Sequence, residues 1–540
     1  MIKTSMDVTF YSDPKATTRG VMMSRIPFRS TVLISVLLLI VAGAAGPAPA
    51  GGRDGDWPTW QGDTYGSRHN AAEHRITAAN AGRLKLKWAF AYPKTDAPAK
   101  SQPAVVDGVI YFGGPDGMFY ALDAKSGATR WTFPVTPGGV VQDGPAVARG
   151  KVYFGDSQGY VYALDQRTGA LKWSRDTETH PAGMHTSSPL YHDGKIYIGA
   201  SSGENTGGAD YQCCTFRGHI DALDADTGAQ VWRYWTVPEP VRVGTWPSGA
   251  ARWEPSGAGV WSSPVIDPRT NTLYVGTGQN YTGSAGDFDS LLALDARTGK
   301  VRWKNQVTRA DTWRSLCNEP DAEGYCPGLK DGTNLDYDIG ATPNIFTVAG
   351  RTLVGVGQKS GVYHVFDART GKVQWRRQLG VPLPSGGVSG IQWGSSYDGK
   401  RLYVATYFAD PGTLFAVNPA DGTVLWQTPN PADGCTTGGA AAFPEVCQPA
   451  HAPAVSSSPG VVFEGSNDGK FRAYSARTGA VLWQFDTLRD FQGVNGLTGT
   501  GSAVSGSGGA VIADGMVYIQ SGYWPYYPSD NGFVLLAFGL

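Results

Sequence analysis

The sequence predicts an all-β fold, an eight-bladed β-propeller, on the evidence of a repeated motif, a strand before each copy and an incomplete copy at each end. The motif reads Ala-Leu-Asp-Ala-x-Thr/Ser-Gly-x-x-x-Trp. Its copies end at Trp131, Trp173, Trp232, Trp303 and Trp375, with weaker copies ending at Trp426 and Trp483. Units of roughly 40 to 50 residues built from short strands are typical of propeller blades, which bury their faces against neighbouring blades.

Each copy of the motif is preceded by a strand. Runs such as GVIYFG, KVYFGD and RLYVAT alternate β-branched and aromatic residues, as half-buried strands do. An Asp-x-x-Thr-Gly turn follows, in which the Asp side chain caps the turn and the glycine is free to take positive φ. We interpret the tryptophan that ends each copy as a residue that docks between adjacent blades.

The two ends of the chain complete one blade together. NGFVLLAF near Leu540 lacks the motif's tryptophan tail, and RLKLKWAF around Trp88 is an isolated strand before the first full copy. Counting Trp88 with the seven repeat tryptophans gives eight blades. Closure by strands from both ends also removes the exposed edge strand of an open sheet.

The composition agrees with a single large β domain over residues 51–540. A closed propeller is one unit, so the repeat outweighs the several domains that 540 residues would otherwise suggest. The 73 glycines suit many tight turns, and a formal net charge of −1 gives no reason to expect nucleic acid as a partner.

Residues 1–50 are predicted to be an upstream extension and a secretory signal peptide. Arg25 and Arg29 precede the apolar run STVLISVLLLIVAGAAG, and the small residues AGPAPAGG follow it. A membrane anchor is the alternative, but without its small residues the run is shorter than the roughly 18 residues that a span needs. We therefore expect an exported protein, periplasmic or secreted, with no membrane span in the mature chain.

The six cysteines fall into three close pairs, as expected for disulfides in an exported chain. No Cys-x-x-Cys-His spacing occurs, so the sequence has no site for covalently attached haem c. A bridge between adjacent residues would strain the backbone, and such strain tends to lie at functional sites. The pairs are Cys213 with Cys214, Cys317 with Cys326, and Cys435 with Cys447.

The longest spacings between repeat tryptophans locate the insertions. They are 59, 71 and 72 residues and follow Trp173, Trp232 and Trp303. Insertions in a propeller emerge as loops around the central channel, and binding residues gather in such loops. We therefore expect the functional face to be built from residues about 180 to 400.

Several segments within and beyond this range carry a family resemblance. RYWTVPEP, GVWSSPVIDP, YVGTGQNY and DGKFRAY together resemble the pyrroloquinoline-quinone-dependent alcohol dehydrogenases, most closely the polyvinyl-alcohol dehydrogenases. The resemblance implies oxidation of secondary or polymeric alcohols to carbonyl compounds, with hydride transfer to the quinone. It also implies a calcium ion in the site and an external electron acceptor such as a soluble cytochrome c.

The resemblance also implies a set of cofactor contacts. Trp261 corresponds to the indole on which the quinone ring system stacks, and Lys359 to the cation that contacts the quinone oxygens and stabilises the reduced form. The remaining implied cofactor contacts are Thr186, Ser201, Ser202, Gly203, Gln392 and Trp393.

The metal ligands and the catalytic base follow from the same resemblance. Glu204, Gln279 and Asp336 supply hard oxygen ligands for calcium, and Asp336 is also the general base that takes the alcohol proton. Asp338 is a further candidate ligand, and an Asp at this position accompanies a lanthanide in some relatives.

Two positions depart from the family and support a different class of protein. Lys100 stands where methanol dehydrogenases have a glutamate, and Asp143 stands where they have an arginine; an Asp facing a tri-anionic quinone would repel it. The two changes reverse charge in opposite senses, so either they compensate each other or the loops are shifted. The alternative is a non-catalytic propeller that acts as a binding or assembly scaffold. The presence of Glu204, Trp261, Asp336 and Lys359 in family order favours the enzyme.

Overall fold

The repeats fold into short antiparallel sheets, as the alternation of apolar and polar residues predicts. The computed structural model describes residues 55–540 apart from 138, 321, 384–386, 388, 408–410, 505, 524–526 and 528. The predicted extension and signal peptide at residues 1–50 lie outside the described residues. Within the described part of the chain, no helix has the length and apolar character needed to cross a membrane.

Eight sheets can be followed through these residues, and each contains four main strands, which confirms the predicted eight-bladed propeller. The strands of blades 1 to 4 are Ala104–Val106, Val109–Gly113, Met118–Asp123 and Thr129–Pro134; Ala146–Ala148, Lys151–Gly155, Tyr160–Asp165 and Leu171–Asp176; Leu190–His192, Lys195–Ser202, His219–Asp224 and Gln230–Trp235; and Val265–Asp267, Thr272–Gly276, Ser290–Asp295 and Val301–Gln306.

Blade 8 is the closing blade, and strand Lys85–Ala91 from the start of the propeller pairs with Val534–Gly539 from its end. The strands of blades 5 to 8 are Asn344–Val348, Arg351–Gly357, Val362–Asp367 and Val373–Gln378; Ser396–Tyr397, Leu402–Ala405, Thr413–Val417 and Val424–Pro429; Ser456–Ser458, Val461–Gly465, Lys470–Ser475 and Val481–Asp486; and Val511–Ala513, Met516–Tyr523, Val534–Gly539 and Lys85–Ala91.

The remaining elements are short and lie between or beside the blades. Additional strands are Gly183–Met184, Val241–Thr245, Ala251–Glu254, Ser256–Gly257, Asn280–Thr282, Asp490–Gln492, Thr498–Thr500 and Ala503–Val504. Single-turn 3₁₀ helices span Ala81–Arg83, Glu204–Thr206, Ser315–Asn318, Ala322–Gly324 and Gly438–Ala442, and a four-residue α-helix spans Gly328–Asp331.

The repeat tryptophans link each blade to the next, as the sequence predicts. Each donates its indole Nε1–H to a backbone carbonyl of the following blade at 2.9 to 3.2 Å. For example, Trp232 donates to Ala296 in blade 4. Trp483 of blade 7 donates to the carbonyl of Leu84, directly before the N-terminal strand of blade 8, and so closes the ring.

The motif glycine takes a positive φ and also packs against a repeat tryptophan, and a pair of substitutions separates these two roles. Gly299, in the motif, has φ +70°, and a Cβ there would lie 2.7 Å from the Trp232 ring. Gly108, a turn glycine outside the motif, has φ +74°, but nothing lies within 4 Å of the position of its Cβ. We expect Gly299→Ala to reduce the free energy of unfolding by about 1 to 3 kcal/mol more than Gly108→Ala, because only Gly299→Ala overpacks the blade interface. Urea denaturation measures the difference, and equal losses would show that this glycine is needed for its backbone conformation alone.

Residues 57–70, here called the central segment, run across the first strands of all eight blades. The Trp57 backbone pairs with Val105 in blade 1, and the Asn70 side-chain amide donates to the Ile512 carbonyl in blade 8 at 2.8 Å. Its hydrogen-bond partners in blade order are Val105, Val147, Pro189, Ile266, Ile345, Tyr397, Ser457 and Ile512. The segment thus covers the propeller axis on one side.

Arg68 is the buried centre of this segment, with no measurable exposure. Its guanidinium donates to the Val455 carbonyl, the Gln102 side chain and the Ser456 hydroxyl at 2.8 to 2.9 Å. It also lies 4.3 Å from the ring centroid of Trp60. Arg68 therefore connects the segment to blades 1 and 7, and these hydrogen bonds offset the cost of burying its charge.

Candidate cofactor cavity and its carboxylates

A cavity of about 280 Å³ gathers nine of the twelve residues predicted to bind the cofactor or metal or to act as the base. Ser201 and Ser202 end the second strand of blade 3, and the other seven lie in loops of blades 3 to 6. The nine are Thr186, Ser201, Ser202, Trp261, Gln279, Asp338, Lys359, Gln392 and Trp393.

Two indoles form much of the apolar wall of this cavity. The rings of Trp261 and Trp393 have centroids 5.0 Å apart and planes at 75°, so each offers a differently oriented surface. Trp261 lies so close to the backbone that a Cβ on Gly340 would overlap its ring. Its Nε1–H donates to Asp338 Oδ2 at 3.2 Å, which fixes the plane of the indole.

Lys359 lies between two buried carboxylates. Its Nζ is 3.0 Å from Asp336 Oδ1 and 2.7 Å from Asp338 Oδ2, and it lies 5.4 Å from the centroid of Trp261. Burial lowers the pKa of Lys359, but the two carboxylates outweigh burial and raise it above its ordinary value. Burial also raises the pKa of Asp336, since Lys359 offsets only part of that cost. The cation therefore stays charged, and Asp336 holds its proton more tightly than an exposed carboxyl.

Asp336 itself lies behind the cavity wall rather than among its lining residues in the described structure. The backbone of Asp336 has φ +58° and that of Trp393 has φ +56°, a region that residues other than glycine rarely occupy. The Gly387 N–H donates to Asp336 Oδ2. Unusual backbone of this kind concentrates at functional sites, where the surrounding structure must hold it.

Asp311 holds the loop that carries these carboxylates, and it belongs to none of the sequence motifs. Its carboxylate accepts the backbone N–H groups of Leu335, Asp336 and Tyr337 at 3.1, 2.9 and 2.6 Å. Burial raises the pKa of Asp311 to about 6. The sequence gives no local signal for this contact, because Asp311 lies about 25 residues before the loop that it caps.

Glu204 is buried, but its carboxylate is turned toward residues 211–216 and not toward the cavity lining. Oε1 accepts the Thr215 N–H and Oε2 accepts the Phe216 N–H, both at 2.8 Å. His180 Nε2 lies 3.4 Å from Oε1. Gly203, predicted as a cofactor contact, precedes this glutamate and also does not line the cavity in the described residues.

The predicted metal donors are not gathered around one point in this structure. Gln279 lies against Asp338, and with its side-chain nitrogen facing the carboxylate the distance to Oδ2 is 3.2 Å. Asp338 already contacts Lys359, and the Glu204 oxygens accept backbone N–H groups. Among the described residues, no group of three or more His, Cys, Asp or Glu side chains is arranged to hold a metal ion.

The predicted conflict at Asp143 does not arise, because its neighbour Gln142 lines the cavity instead. Asp143 is buried between strands, where Oδ2 accepts the Gly155 N–H at 2.7 Å, and burial raises its pKa well above the ordinary value. Lys100 does line the cavity, 5.7 Å from the Tyr523 ring centroid. In the part of the chain that the structure describes, Lys100 forms no ion pair with an acidic side chain.

The expected range of about 180 to 400 for the functional face is too narrow. Lys100 and Gln142 enter the cavity from blades 1 and 2, and Ser507 enters from blade 8. Tyr281 was missed although it ends the YVGTGQNY segment. The other lining residues missed by the sequence analysis are Met184, Asn205, Gly259 and Gly278.

The three predicted cysteine pairs are bonded in the structure. Cys213 and Cys214 are fully buried and pack in one cluster with Phe216 and Tyr281. Since Tyr281 lines the cavity, the adjacent-cysteine bridge lies one residue layer behind the cavity wall. Cys317–Cys326 and Cys435–Cys447 each close a local loop.

Two protein families match the chain. The family described as outer membrane protein assembly factor BamB matches residues 72–243 and 349–523. The family described as the β-propeller domain of glucose, ethanol and alcohol dehydrogenases matches residues 179–315, the range that carries most of the cavity.

The chain is also similar to individual proteins over most of its length. It is 35% identical to a polyvinylalcohol dehydrogenase from Pseudomonas sp., covering 83% of this chain and 70% of that protein. It is 33% identical to a polyvinylalcohol dehydrogenase from Sphingopyxis sp. (strain 113P3), covering 89% and 74%. A quinohemoprotein alcohol dehydrogenase from Pseudomonas putida HK5 has the same fold, with a TM-score of 0.67, 21% identity, and coverage of 90% and 80%.

Proposed function

We propose, from the premise that this chain belongs to the pyrroloquinoline-quinone-dependent alcohol dehydrogenase family, that it oxidises alcohols to carbonyl compounds in the cavity described above. Relatives that act on polyvinyl alcohol, by their names, make secondary and polymeric alcohols the substrates to test first. Pyrroloquinoline quinone supplies an acceptor for the hydride of the alcohol carbon.

The single observation that carries this proposal is a cavity that combines flat aromatic walls with two cations. A planar tricarboxylate needs an aromatic surface, which Trp261 or Trp393 offers, and positive charge, which Lys100 and Lys359 supply. Burial lowers the pKa of Lys100, which is consistent with a cation that lacks a compensating anion. Lys100 therefore favours an anionic cofactor, although it departs from the methanol dehydrogenases.

Asp336 is proposed as the base that accepts the alcohol proton. Its two oxygens accept hydrogen bonds from Lys359 and Gly387, so a substrate hydroxyl has to take the place of one of these donors. A raised pKa suits a base that must hold a proton at neutral pH. Lys359, held by both carboxylates, would stabilise the charge that remains on the reduced cofactor.

Calcium, or less strongly a lanthanide, remains a prediction, with Glu204, Gln279, Asp336 and Asp338 as its ligands. Its support is electrostatic: a tri-anionic cofactor beside Asp336 and Asp338 needs more positive charge than two lysines provide. Glu204 would have to exchange backbone N–H partners for the ion. The proposed roles of Asp336 and Lys359 do not depend on a metal.

The proposal includes export and an external electron acceptor. The charged, apolar and small-residue order of residues 1–50 supports export to the periplasm or the medium. The chain has no Cys-x-x-Cys-His motif, so a separate acceptor, for which a soluble cytochrome c is the first candidate, would take the electrons.

Titration of the metal-stripped protein with pyrroloquinoline quinone, with and without calcium, tests the proposed function. We expect saturable binding near one quinone per chain, followed by reduction of an artificial acceptor when a secondary alcohol is added. Absorbance of the quinone and quenching of tryptophan fluorescence report binding. Absence of binding with calcium and with a lanthanide would favour the scaffold alternative, which the match to the assembly-factor family supports.

A further inference from the structure

A second cavity of about 250 Å³ adjoins the cofactor cavity, and Tyr281 lines both. Aromatic rings, two arginines and several hydroxyl groups share its wall. Its principal polar and aromatic residues are Trp246, Arg252, Asp311, Thr312, Arg314 and Tyr325.

The walls of this second cavity come from insertions that the propeller itself does not need. The hairpin of Val241–Thr245 and Ala251–Glu254 contributes Trp246 and Arg252. The loop closed by the Cys317–Cys326 disulfide contributes Tyr325 and both cysteines. Since blades pack without these segments, the cavity is an addition to the fold.

Arg314 is the unusual residue of this cavity, with only 1% of its surface exposed. Its guanidinium donates to the Tyr325 carbonyl at 2.8 Å and lies 4.6 Å from the Trp246 ring centroid. It has no acidic partner within ion-pair distance among the described residues. A buried guanidinium without a counter-ion is costly, and most of its five donors remain available to a ligand.

The other charges of the wall are already compensated. Arg252 donates from Nε to Glu254 Oε1 at 2.8 Å. Asp311 uses its carboxylate to cap three backbone N–H groups of the loop beyond it. The uncompensated charge at this point is therefore positive and belongs to Arg314.

Electrostatics around Arg314 favour a singly charged ligand. Burial lowers its pKa to about 10, and Glu204 offsets only part of that effect from beyond ion-pair distance. A carboxylate would supply the missing charge and match the planar fork of the guanidinium. Glu254 and Asp311 nearby disfavour a phosphate dianion, and Trp246 and Tyr325 offer apolar surface to the carbon chain of the ligand.

We propose that the second cavity binds a carboxylate group through Arg314, beside the site of alcohol oxidation. In its most direct form, the carboxylate and the reacting hydroxyl belong to one hydroxy-acid molecule that extends past Tyr281 into both cavities. This form rests on the proposed function. A separate carboxylate that binds there as an effector is the second source of the same chemistry.

The kinetic test compares 4-hydroxybutanoate with its neutral isostere 4-hydroxybutanamide on the quinone-loaded enzyme. We expect kcat/KM to favour the carboxylate about tenfold or more, as one charge-assisted bidentate contact allows, and this preference to disappear in Arg314→Gln. Arg252→Gln is the matched control, because it removes a neighbouring guanidinium that Glu254 already neutralises. Its preference should fall far less.

A binding test keeps the inference independent of turnover. Calorimetric titration of the cofactor-free protein with 4-hydroxybutanoate should show binding that the amide lacks and that Arg314→Gln loses. If Arg314→Gln does not fold, Arg314→Lys replaces it in the test. Arg314→Lys preserves the charge but not the planar fork of the guanidinium, so it should bind 4-hydroxybutanoate with intermediate affinity. Acetate that competes with 4-hydroxybutanoate oxidation without affecting the amide indicates a substrate subsite, whereas acetate that alters oxidation of the amide indicates an effector.

Two outcomes would overturn the inference. One is equal handling of acid and amide by the wild-type protein in both assays. The other is a loss of quinone affinity in Arg314→Gln, since that result would assign Arg314 to the cofactor. Failure of the proposed function is a different result, namely absence of quinone binding by the wild-type protein, and the calorimetric test is unaffected by it.

Discussion

Replacing Asp336 by asparagine should lower kcat for alcohol oxidation by about 10²- to 10⁴-fold, the usual contribution of a positioned general base. The amide has nearly the same shape and can still accept a hydrogen bond from Lys359, but it cannot take a proton. Quinone affinity should therefore change little. Stopped-flow reduction of the bound quinone by a secondary alcohol measures the chemical step, and quinone titration measures binding.

Asp156→Asn is the matched control for that substitution. Asp156 is an equally buried carboxylate, but it accepts the N–H groups of Gln158 and Tyr160 in blade 2, away from the cavity lining. Its removal should affect stability and leave the chemical step alone. Undiminished turnover in Asp336→Asn would remove the assignment of Asp336 as the base.

Replacing Lys359 by methionine should reduce the free energy of unfolding by about 3 to 5 kcal/mol, because it leaves Asp336 and Asp338 buried without a counter-charge. It should also weaken quinone binding, since one of the two cavity cations is lost. Lys304→Met is the control, because Lys304 pairs with Asp287 at a half-exposed position, where a pair contributes at most about 1 kcal/mol. Urea denaturation of the cofactor-free proteins gives both values.

The stability loss in Lys359→Met should depend on pH in a defined direction. Burial raises the pKa of Asp336 above its ordinary value of 3.8, so the folded state keeps a proton that the unfolded chain releases. Lys359 lowers the pKa of Asp336, so in Lys359→Met the folded-state pKa lies higher still. Below the wild-type folded-state pKa of about 8, Asp336 is protonated in both folded proteins and adds little to the loss; the loss should grow as the pH rises above that value. A loss that is the same at pH 6 and pH 9 would show that Asp336 is not its cause.

The blade architecture could be predicted because its determinants are local. The Asp-x-x-Thr-Gly turn and the tryptophan lie within one motif, so each copy specifies its own docking contact. Even ring closure followed from Trp88 and the missing tail near Leu540. By contrast, the central segment has no periodic pattern, and its contacts join residues such as Asn70 and Ile512 that are far apart in the sequence.

The candidate site was predictable in membership and less so in orientation. Trp261 lies in the loop before the first strand of blade 4 and Lys359 in the turn after the second strand of blade 5, and both reach the cavity. At Asp143 the alternative of a shifted loop holds: Gln142 lines the cavity, and Asp143 is buried against Gly155. The Glu204 contacts could not be predicted, because Thr215 and Phe216 belong to an insertion whose path the repeat does not determine.

The central segment has a consequence for how many blades the ring can hold. Tryptophan docking is the same at every interface, so docking alone does not distinguish a ring of seven, eight or nine blades. The fourteen residues from Trp57 to Asn70 are not repeated, and they meet eight partners in a fixed order from Val105 to Ile512. The segment therefore fixes the number of blades at eight. If a blade were duplicated or deleted, every later residue of the segment would face the wrong blade. Because the last partner, Ile512, belongs to blade 8, the segment can make all eight contacts only after blade 8 has been synthesised.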